Sequence, residues 1–304
     1  MLLVGLLLLF VLPALKSGPR ELPICVVGAD AAQAIVELEA ASPGAYVVEV
    51  VPSVAALDAA IVDRALVGGL VLADGRVEAR IATSGSSAVA AALADSGAAL
   101  AGALGLEAAV HDVVPLPAAD PAGVGVGGLA FPLVFGGIVP VVAFRAVLGG
   151  RPGWMLAGLV GFSLVGGAVI AAVLRFAFGS IERGFWPVAG ALALGIAALA
   201  LPLAGLQARF GAKGFTIGAM VMMFLGNPFA GIATGAAWLP AGVALLGQLL
   251  PPGAAGTLVR AVAYFDGAGG GAAAVTLAVW AGAGAVLWAL GRRSAERARV
   301  GGAQ

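Results

Sequence analysis

The second half of the chain is a series of long apolar segments separated by short polar joints. Each segment has roughly 20 residues, enough for a helix rising 1.5 Å per residue to cross about 30 Å of hydrocarbon. Soluble helices of that length carry a polar face, and these segments have none. The sequence therefore predicts an integral membrane protein, whose later spans lie at residues 129–148, 154–177, 186–206, 215–236 and 271–290.

Composition and charge agree with a membrane protein that carries one soluble domain. Hydrophobic residues make up 61% of the chain and charged residues 11%, whereas soluble domains carry about 25% charge. Residues 16–128 contain 5 Lys and Arg against 13 Asp and Glu, and residues 129–304 contain 11 against 3. An acidic soluble part joined to a basic membrane part argues against a nucleic-acid partner, which requires a clustered basic face. The single cysteine, Cys25, allows no internal disulfide and no cysteine metal cluster.

Residues 1–15 read MLLVGLLLLFVLPAL and are apolar throughout. As a helix they would extend about 22 Å, which is short for a span. They lack the basic start and the small-residue cleavage site of a signal peptide. We expect an uncleaved first span whose natural start lies upstream of Met1, and a cleaved signal peptide is the alternative.

Residues 16–110 form the one predicted soluble domain. Strand-like runs alternate with helical spacing; the strands are predicted at 23–28, 45–51, 69–72 and 77–82, and the helices at 31–41, 54–66 and 88–104. Asp74 and Gly75 give the signal of a β-hairpin turn. This alternation predicts a small α/β layer. Residues 111–128, rich in Pro, Asp and Gly, are predicted to be a linker back to the membrane.

The predicted membrane domain covers residues 129–291 and contains one stretch that differs from the spans. Residues 238–250 are apolar but too few to cross, and Pro240, Pro251 and Pro252 bound them. We expect a re-entrant or interfacial stretch over 238–253. The predicted fold class is an α-helical integral membrane protein with six transmembrane helices, this re-entrant stretch, and a small extracytoplasmic α/β domain between the first and second spans.

Basic residues indicate the orientation, because they accumulate on cytoplasmic joints. Placing the tail, residues 292–304, inside puts eight basic residues on that side and leaves three outside. Besides those of the tail, the inside set is Arg145, Arg151, Arg209 and Lys213, and the outside set is Arg175, Arg183 and Arg260. We therefore expect a multi-pass protein of the plasma membrane, embedded in the lipid bilayer, with both termini cytoplasmic and residues 16–128 extracytoplasmic.

No motif in the chain predicts catalysis. Residues 123–128 match G-x-G-x-x-G formally, but they follow Asp120 and Pro121 and lead into a span, so a flexible linker is the better interpretation. His111 and Asp112 have no serine in the G-x-S-x-G turn of a hydrolase to act with. The phosphate-binding loop G-x-x-x-x-G-K-[ST] does not occur in the sequence. We expect no enzyme activity and no cofactor, and any ATP must be bound by another chain.

Polar groups inside the apolar segments are sparse, and they mark a predicted substrate path. Asn227 and Pro228 lie near the middle of the span at 215–236, where a proline removes a backbone donor and breaks the helix. This position suits either contact between helices or a broken helix that lines a path. The path is completed by later residues, namely Gly231, Pro240, Gln248 and Asp266. For the last two, anchoring at the membrane interface is the alternative.

Several short motifs resemble one family of exporters. In the membrane part they are NPFAG at 227–231, LP at 239–240, GQLLPPGA at 247–254 and YFDG at 264–267. In the soluble part they are IVDR at 61–64, GGLV at 68–71 and IATSG at 81–85. These motifs, and the order of one span, one outer domain and five spans, resemble the type-2 ABC transporter permease superfamily, in particular its Pip-like (phage infection protein-like) branch.

The resemblance implies a permease-like subunit of an ABC-type exporter that moves a hydrophobic or amphipathic substrate out of the cell. A separate ATP-binding subunit would supply the energy, and the permease would pair with itself or with a sister permease. The ATPase would contact the cytoplasmic joints at Arg145, Arg151, Arg209 and Lys213. The joint at 149–153 is short for the coupling helix of such permeases, so the alternative is a non-transporting cell-envelope scaffold or receptor whose outer domain binds a partner.

Overall fold

The computed structural model describes residues 1–28, 30–148 and 151–301. The strands are β1 (Leu22–Val27), β2 (Tyr46–Glu49), β3 (Gly68–Ala73), β4 (Arg76–Ile81) and β5 (Glu107–Asp112). The α-helices are α1 (Leu2–Leu15), α2 (Ala31–Ala41), α3 (Val54–Val62), α4 (Ser87–Leu104), α5 (Val124–Gly127), α6 (Ala130–Leu148), α7 (Pro152–Ala172), α8 (Phe185–Val221), α9 (Ala241–Leu249), α10 (Pro251–Tyr264) and α11 (Gly271–Gly301). The strands with α2–α4 form an α/β domain, and α5–α11 form a helical bundle.

The α/β domain is built on one five-stranded sheet with the order β2-β1-β3-β4-β5. Neighbouring strands are parallel except β3 and β4, which form the predicted hairpin. Asp74 and Gly75 turn this hairpin with φ values of 52° and 74°, the left-handed backbone that a two-residue turn between twisted strands requires. The four strands and three helices predicted for this domain are confirmed, with small shifts in their bounds.

Helix α4 shows why length and apolarity do not by themselves identify a span. It has 18 residues and is apolar enough to cross a membrane. However, Leu93 and Leu100 are buried in the core of the sheet, and Gly97 lies close against Leu70 of β3. The apolar face of α4 is therefore matched by the sheet, and the helix belongs to the α/β domain.

Two sequence-based assignments need correction. His111 and Asp112, predicted to open the linker, belong to β5 and pair with β4. The run Glu107–Asp112 contains few β-branched or aromatic residues, so its strand depends on its neighbour rather than on its own propensity. Residues 123–128 are not a flexible linker, because they contain α5 and are held by the Asp120 carboxylate.

Helix α8 consists of two antiparallel arms, residues 185–210 and 212–221, and a π-helical turn continues the second arm to Gly226. Gly211 between the arms has φ 67° and ψ −154°, a conformation that essentially only glycine adopts. The chain reverses there, so that Gly218 packs against the side chains of Leu203 and Leu206. The turn falls where the sequence predicts a joint between the spans at 186–206 and 215–236.

Five helices among the described residues are long and apolar enough to cross a membrane, or six if the bent pair α9–α10 counts as one. One of the five is α4, and another is the whole stretch of both α8 arms. The rest are α6, α7 with the π-helical turn that follows it, and α11. Helix α1 has 14 residues and is shorter than a typical span. The structure thus agrees with a helical membrane protein that carries a small α/β domain near its N-terminus.

The predicted re-entrant stretch contains a sharp bend. Helices α9 and α10 meet at Leu250 and are bent by 88° relative to each other. Pro251 and Pro252 begin α10, where the lost backbone donors cost no helical hydrogen bond. Sequence analysis ended the stretch at residue 253 and did not predict the rest of α10, whose Ala254 and Ala255 are completely buried in the bundle.

The bundle has two ends, which we name by their relation to the α/β domain. At the free end, Arg151 N donates to Leu148 O at 2.7 Å between α6 and α7, and Gly291 of α11 lies against the backbone of Ala208 beside the Gly211 turn. At the domain end lie α5, the end of α10, and the loop of residues 227–240, which we call the central loop. The candidate functional site lies at the domain end.

Candidate functional site

The α/β domain is fixed to the bundle by an aromatic side chain. Phe265, directly after α10, is 4% exposed and packs in the apolar cluster of the α/β domain that contains Cys25, Leu57 and Ile61. Burying an aromatic side chain of this size contributes about 1.5–3 kcal/mol. The end of α10 is therefore part of the domain's own core, which positions the two parts relative to each other.

A single buried arginine then links three segments across this junction. Arg260 of α10 is 8% exposed, and it donates to Gly85 O at 2.8 Å and to Ile232 O at 2.6 Å. Gly85 lies in the loop between β4 and α4, and Ile232 lies in the central loop. Ser86 Oγ beside it donates to the carbonyl oxygen of Thr234. A guanidinium group suits this role because it offers five donors in a fixed plane.

A cavity of about 340 Å³ lies between the α/β domain and the bundle at this junction, and we call it the arginine cavity. Its walls come from α3, the loop before α4, the central loop and α10. Two arginines, Arg64 and Arg260, are among its lining residues. Among the 18 described residues that line it, none is Asp or Glu. The walls are otherwise mostly apolar or glycine, so the cavity is electropositive without a compensating charge.

Arg64 differs from Arg260 because its charge has little to interact with. Its guanidinium carbon lies 5.2 Å from the centre of the Phe265 ring, a cation–π contact. Its Nη1 is buried and has no hydrogen-bond partner among the described residues, which also place no carboxylate oxygen within 4.0 Å of it. Burial lowers the pKa of the Arg64 guanidinium, but arginine stays protonated at neutral pH. Arg64 as a whole is half-buried, so this arrangement leaves a partly buried positive charge with one nitrogen that can donate to an anion.

A second cavity of about 240 Å³ borders the arginine cavity, and we call it the middle cavity. The two share Gly231 and Ile232 as lining residues. Asn227 and Pro228, predicted to lie on the substrate path, line the middle cavity. Asn227 is 8% exposed and directly follows the π-helical turn that ends the second arm of α8. Pro228 explains this ending, because it cannot donate to the preceding turn.

The remaining path residues lie on both sides of the central loop, with one exception. Gln248 lines the arginine cavity; its Nε2 donates to Ala230 O at 3.3 Å and its Oε1 accepts from Thr257 Oγ1 at 2.7 Å. Pro240 lines a groove of about 550 Å³ along α1 and α9, which we call the apolar groove. Asp266 is exposed and lies in a different cavity beside Glu182. The structure therefore gathers five of the six residues around the central loop and leaves Asp266 outside.

The residues predicted to contact an ATPase all lie toward the free end of the bundle. Arg145 is in the last turn of α6 and Arg151 precedes α7, while Arg209 and Lys213 flank the Gly211 turn. All four are exposed. Helices α6 and α7 pack with both arms of α8 in one apolar cluster at this end. The four cations thus share one end of the bundle, opposite the α/β domain.

The linker before α6 is ordered by one carboxylate. Asp120 Oδ1 and Oδ2 accept from Val124 N and Gly125 N, each at 2.8 Å. Burial raises the pKa of Asp120, but the Ser180 hydroxyl and the backbone N–H groups lower it more, so the pKa lies below its ordinary value. Tyr264 also donates to Ser180 O at 2.9 Å. The linker and the end of α10 are therefore joined at the same loop.

The structure does not place His111 in the arrangement of a hydrolytic site. His111 is exposed on the edge strand β5. The neighbouring Asp112 accepts instead from Thr83, whose Oγ1 lies 2.6 Å from Asp112 Oδ2. Ser84 Oγ donates to Val114 O at 2.7 Å. These bonds stabilise the loop before α4 and give Asp112 and Ser84 partners other than His111.

Sequence reasoning missed Arg64 and Arg260 as site residues. The sequence predicted only an extracytoplasmic position for Arg260, and Arg64 was part of the IVDR motif without a role of its own. A signal was present, because an arginine inside the apolar run of α10 must be paired or functional, but nothing in the sequence places it opposite α3. Comparison of this chain with models of protein families, with curated proteins and with solved structures finds no match.

Proposed function

We propose that the protein is a permease-like subunit of an exporter, which moves a hydrophobic or amphipathic substrate out of the cell. The observation that carries this proposal is the broken helix at the domain end. The second arm of α8 stops at Asn227 and Pro228, and an irregular central loop continues from there between three cavities. Irregular backbone in a membrane protein is tolerated where it is buried in protein or lines a cavity, and transporters build substrate sites at such breaks.

The chemistry of the three cavities supports an amphipathic substrate. The arginine cavity offers two cations, and the middle cavity next to it mixes polar and apolar walls. The apolar groove is lined by Leu8, Leu9, Leu12 and other apolar side chains, with Lys16 at one side. A molecule with a polar head and an apolar tail can satisfy all three surfaces, because apolar area gains by burial whereas a polar head needs partners.

The proposal includes a separate ATPase as the energy source and a topology with both termini in the cytoplasm. The exposed cations of the free end, Arg145, Arg151, Arg209 and Lys213, would face the cytoplasm of a plasma-membrane protein whose termini are cytoplasmic. There they would contact a separate ATPase, as in the type-2 ABC, Pip-like permeases that the sequence resembles. The permease would act as a dimer with itself or with a sister chain.

A lipid-transport assay tests the path. The full chain with its copurified ATPase is placed in vesicles that contain fluorescent phosphatidylglycerol or fluorescent phosphatidylcholine, and ATP-dependent movement between leaflets is measured. We expect the double change Asn227→Leu and Pro228→Ala to abolish this movement. Pro202→Ala is the matched control, because Pro202 lies inside the first arm of α8 and lines none of the three cavities. Equal transport by both variants would remove the path assignment.

A pull-down tests the partner. The full chain is tagged at its C-terminus and extracted from native membranes in mild detergent, and the proteins that accompany it are identified by mass spectrometry. We expect an ATPase with a phosphate-binding loop in equal amount. Its absence, with envelope proteins in its place, would contradict the exporter proposal.

A second candidate function is a non-transporting envelope scaffold or receptor. One observation favours it: α6 ends at Leu148 and α7 begins at Pro152, and the Arg151 N–Leu148 O bond closes the joint. This leaves no room for the helix by which ABC permeases engage their ATPase. A scaffold would keep its partner when the cations of the free end are reversed in charge, whereas an exporter would lose its ATPase.

A further inference from the structure

We propose that the arginine cavity binds the anionic, phosphate-bearing headgroup of an amphiphile, and that Arg64 is the residue that contacts it. This deepens the proposed function by naming a substrate class, and it rests on that function only for what happens after binding. The cavity lies between the α/β domain and the bundle, so the headgroup would be enclosed by both.

The first argument is charge. Arg64 Nη1 is removed from solvent and has no hydrogen-bond partner among the described residues. A guanidinium nitrogen that is buried without a partner is unfavourable even in a half-buried side chain, because its desolvation is not offset by a hydrogen bond. The Phe265 ring offsets only a part of this cost. A phosphate oxygen would supply the missing interaction, since guanidinium–phosphate contacts are charge-assisted and match in geometry.

The second argument is the division of labour between the two arginines. Arg260 donates to Gly85 O and Ile232 O, so these bonds orient its guanidinium and use two of its five donors. It contributes positive charge from a fixed position and holds the cavity walls together. Arg64 has neither bond, and Gly269 lies against its stem, where a Cβ would come within 3.2 Å of Arg64 Cδ. Arg64 therefore lines the cavity with its Nη1 available to donate to a ligand.

The third argument selects an amphiphile rather than a small free anion. The arginine cavity shares Gly231 and Ile232 with the middle cavity. Pro228 and Leu239 line the middle cavity, and the residues that follow them, Phe229 and Pro240, line the apolar groove. A site for inorganic phosphate would need only the two cations. The adjoining apolar surface, which runs along α1, would bind the hydrocarbon tail of an anionic amphiphile.

Binding is tested on the purified full chain, without ATPase and without transport. The protein in mild detergent is titrated with short-chain phosphatidylglycerol and, separately, with short-chain phosphatidylcholine, and bound lipid is counted by native mass spectrometry. We expect phosphatidylglycerol to bind at least about tenfold more tightly, and Arg64→Gln to remove that preference, since one charge-assisted hydrogen bond is worth about a factor of ten or more. The matched control is Arg76→Gln, an exposed arginine in the turn of the hairpin, which should bind as the wild type does.

Two further measurements distinguish the proposed site from a structural role of Arg64 and from a site for small anions. The melting temperature of Arg64→Gln should stay close to that of the wild type, because the change removes a charge that has no hydrogen-bond partner among the described residues and loses only the contact with the Phe265 ring; a large fall would mean a structural role and would overturn the assignment. Inorganic phosphate should not displace phosphatidylglycerol at millimolar concentration. Displacement would identify a small-anion site and overturn the amphiphile. Equal binding of both lipids would overturn the whole proposal, whereas selective binding without ATP-driven lipid movement would leave the site standing and contradict the exporter.

Discussion

The two ends of the bundle both carry arginine, but they surround it differently. At the free end, Arg145, Arg151 and Arg209 are exposed and lie at the ends of helices. At the domain end, Arg260 is buried and bonded to two carbonyl oxygens, and Arg64 has its Nη1 buried without a hydrogen-bond partner among the described residues. The same side chain is thus exposed at one end, where water screens its charge, and lines a cavity at the other, where low polarity strengthens each interaction.

The ends also differ in how their segments are held together. The domain end relies on polar contacts between loops, such as those of Arg260, Ser86 and Asp120. The helices toward the free end pack through small residues, as where Gly284 of α11 meets the backbone of α8 at residues 201–202. This contrast is compatible with the proposed exporter, because loops joined by a few directional bonds can rearrange, whereas close-packed helices move as rigid units.

The largest expected effect is at Arg260. Arg260→Met leaves the carbonyls of Gly85 and Ile232 unpaired, and two hydrogen bonds to a charged group contribute roughly 3–6 kcal/mol. We expect a marked fall in melting temperature and cleavage of the linker before α5 by a protease of broad specificity, since this linker contains no Lys or Arg for trypsin. Arg183→Met, an exposed arginine of the domain end, is the control. A melting temperature equal to that of the control would show that the domain end does not depend on this group.

A smaller effect is expected from the helix contact toward the free end. In Gly284→Ala the new Cβ would collide with the backbone of Leu201 and Pro202, and overpacking of this kind costs about 1–3 kcal/mol. Gly282→Ala, two residues earlier in α11, is the matched control, since nothing lies within 4 Å of its Cβ position. Thermal unfolding in detergent measures both. If both variants melted at the same temperature, close packing would not distinguish this region from the domain end.

The third effect depends on pH and belongs to the domain end. Because the native pKa of Asp120 is lowered, its stabilisation is complete above the ordinary pKa of about 3.9 and is lost as the pH falls through the native value. Asp120→Asn should cost about 1 kcal/mol at neutral pH, as expected for a weakened helix cap. Its melting temperature should also fall less than that of the wild type on acidification below pH 4. Parallel pH curves would contradict the role of the carboxylate.

The smallest effect on stability is expected for charge reversal at the free end. Arg151→Glu with Arg209→Glu alters exposed side chains, so the melting temperature should not change measurably. The ATPase in the pull-down should nevertheless be lost. Arg20→Glu, an exposed arginine beside the α/β domain, should retain it. Retention of the ATPase by the double variant would remove the coupling role of the free end and favour a scaffold.

Local sequence patterns predicted most of the architecture. The period of the apolar residues and the Asp74-Gly75 turn predicted the elements of the α/β domain up to α4, because each signal is contained within a few neighbouring residues. Apolar segments of about 20 residues predicted the bundle for the same reason. Strand β5 was missed because its stability comes from pairing with β4 rather than from the β-propensity of its own residues. Helix α10 was missed because its apolar residues pack against other helices of the bundle, and such contacts leave no signal within a short stretch of sequence.

The candidate site was predicted only in part. Pro228 predicted a broken helix, since the missing backbone N–H is a property of proline itself. The meeting of Arg64 and Arg260 could not be predicted, because 196 residues separate them along the chain and neither has a sequence partner that indicates the other.

The sequence by itself determined that the chain is a membrane protein with an acidic α/β domain near its N-terminus and a basic bundle, because hydropathy and charge are sums over residues. Only the tertiary structure decided that two arginines share a cavity without a carboxylate among its described lining residues. That arrangement depends on Phe265 entering the core of the α/β domain and on Arg260 reaching carbonyls in two other segments. Contacts of this kind follow from how distant surfaces fit, which no local pattern encodes.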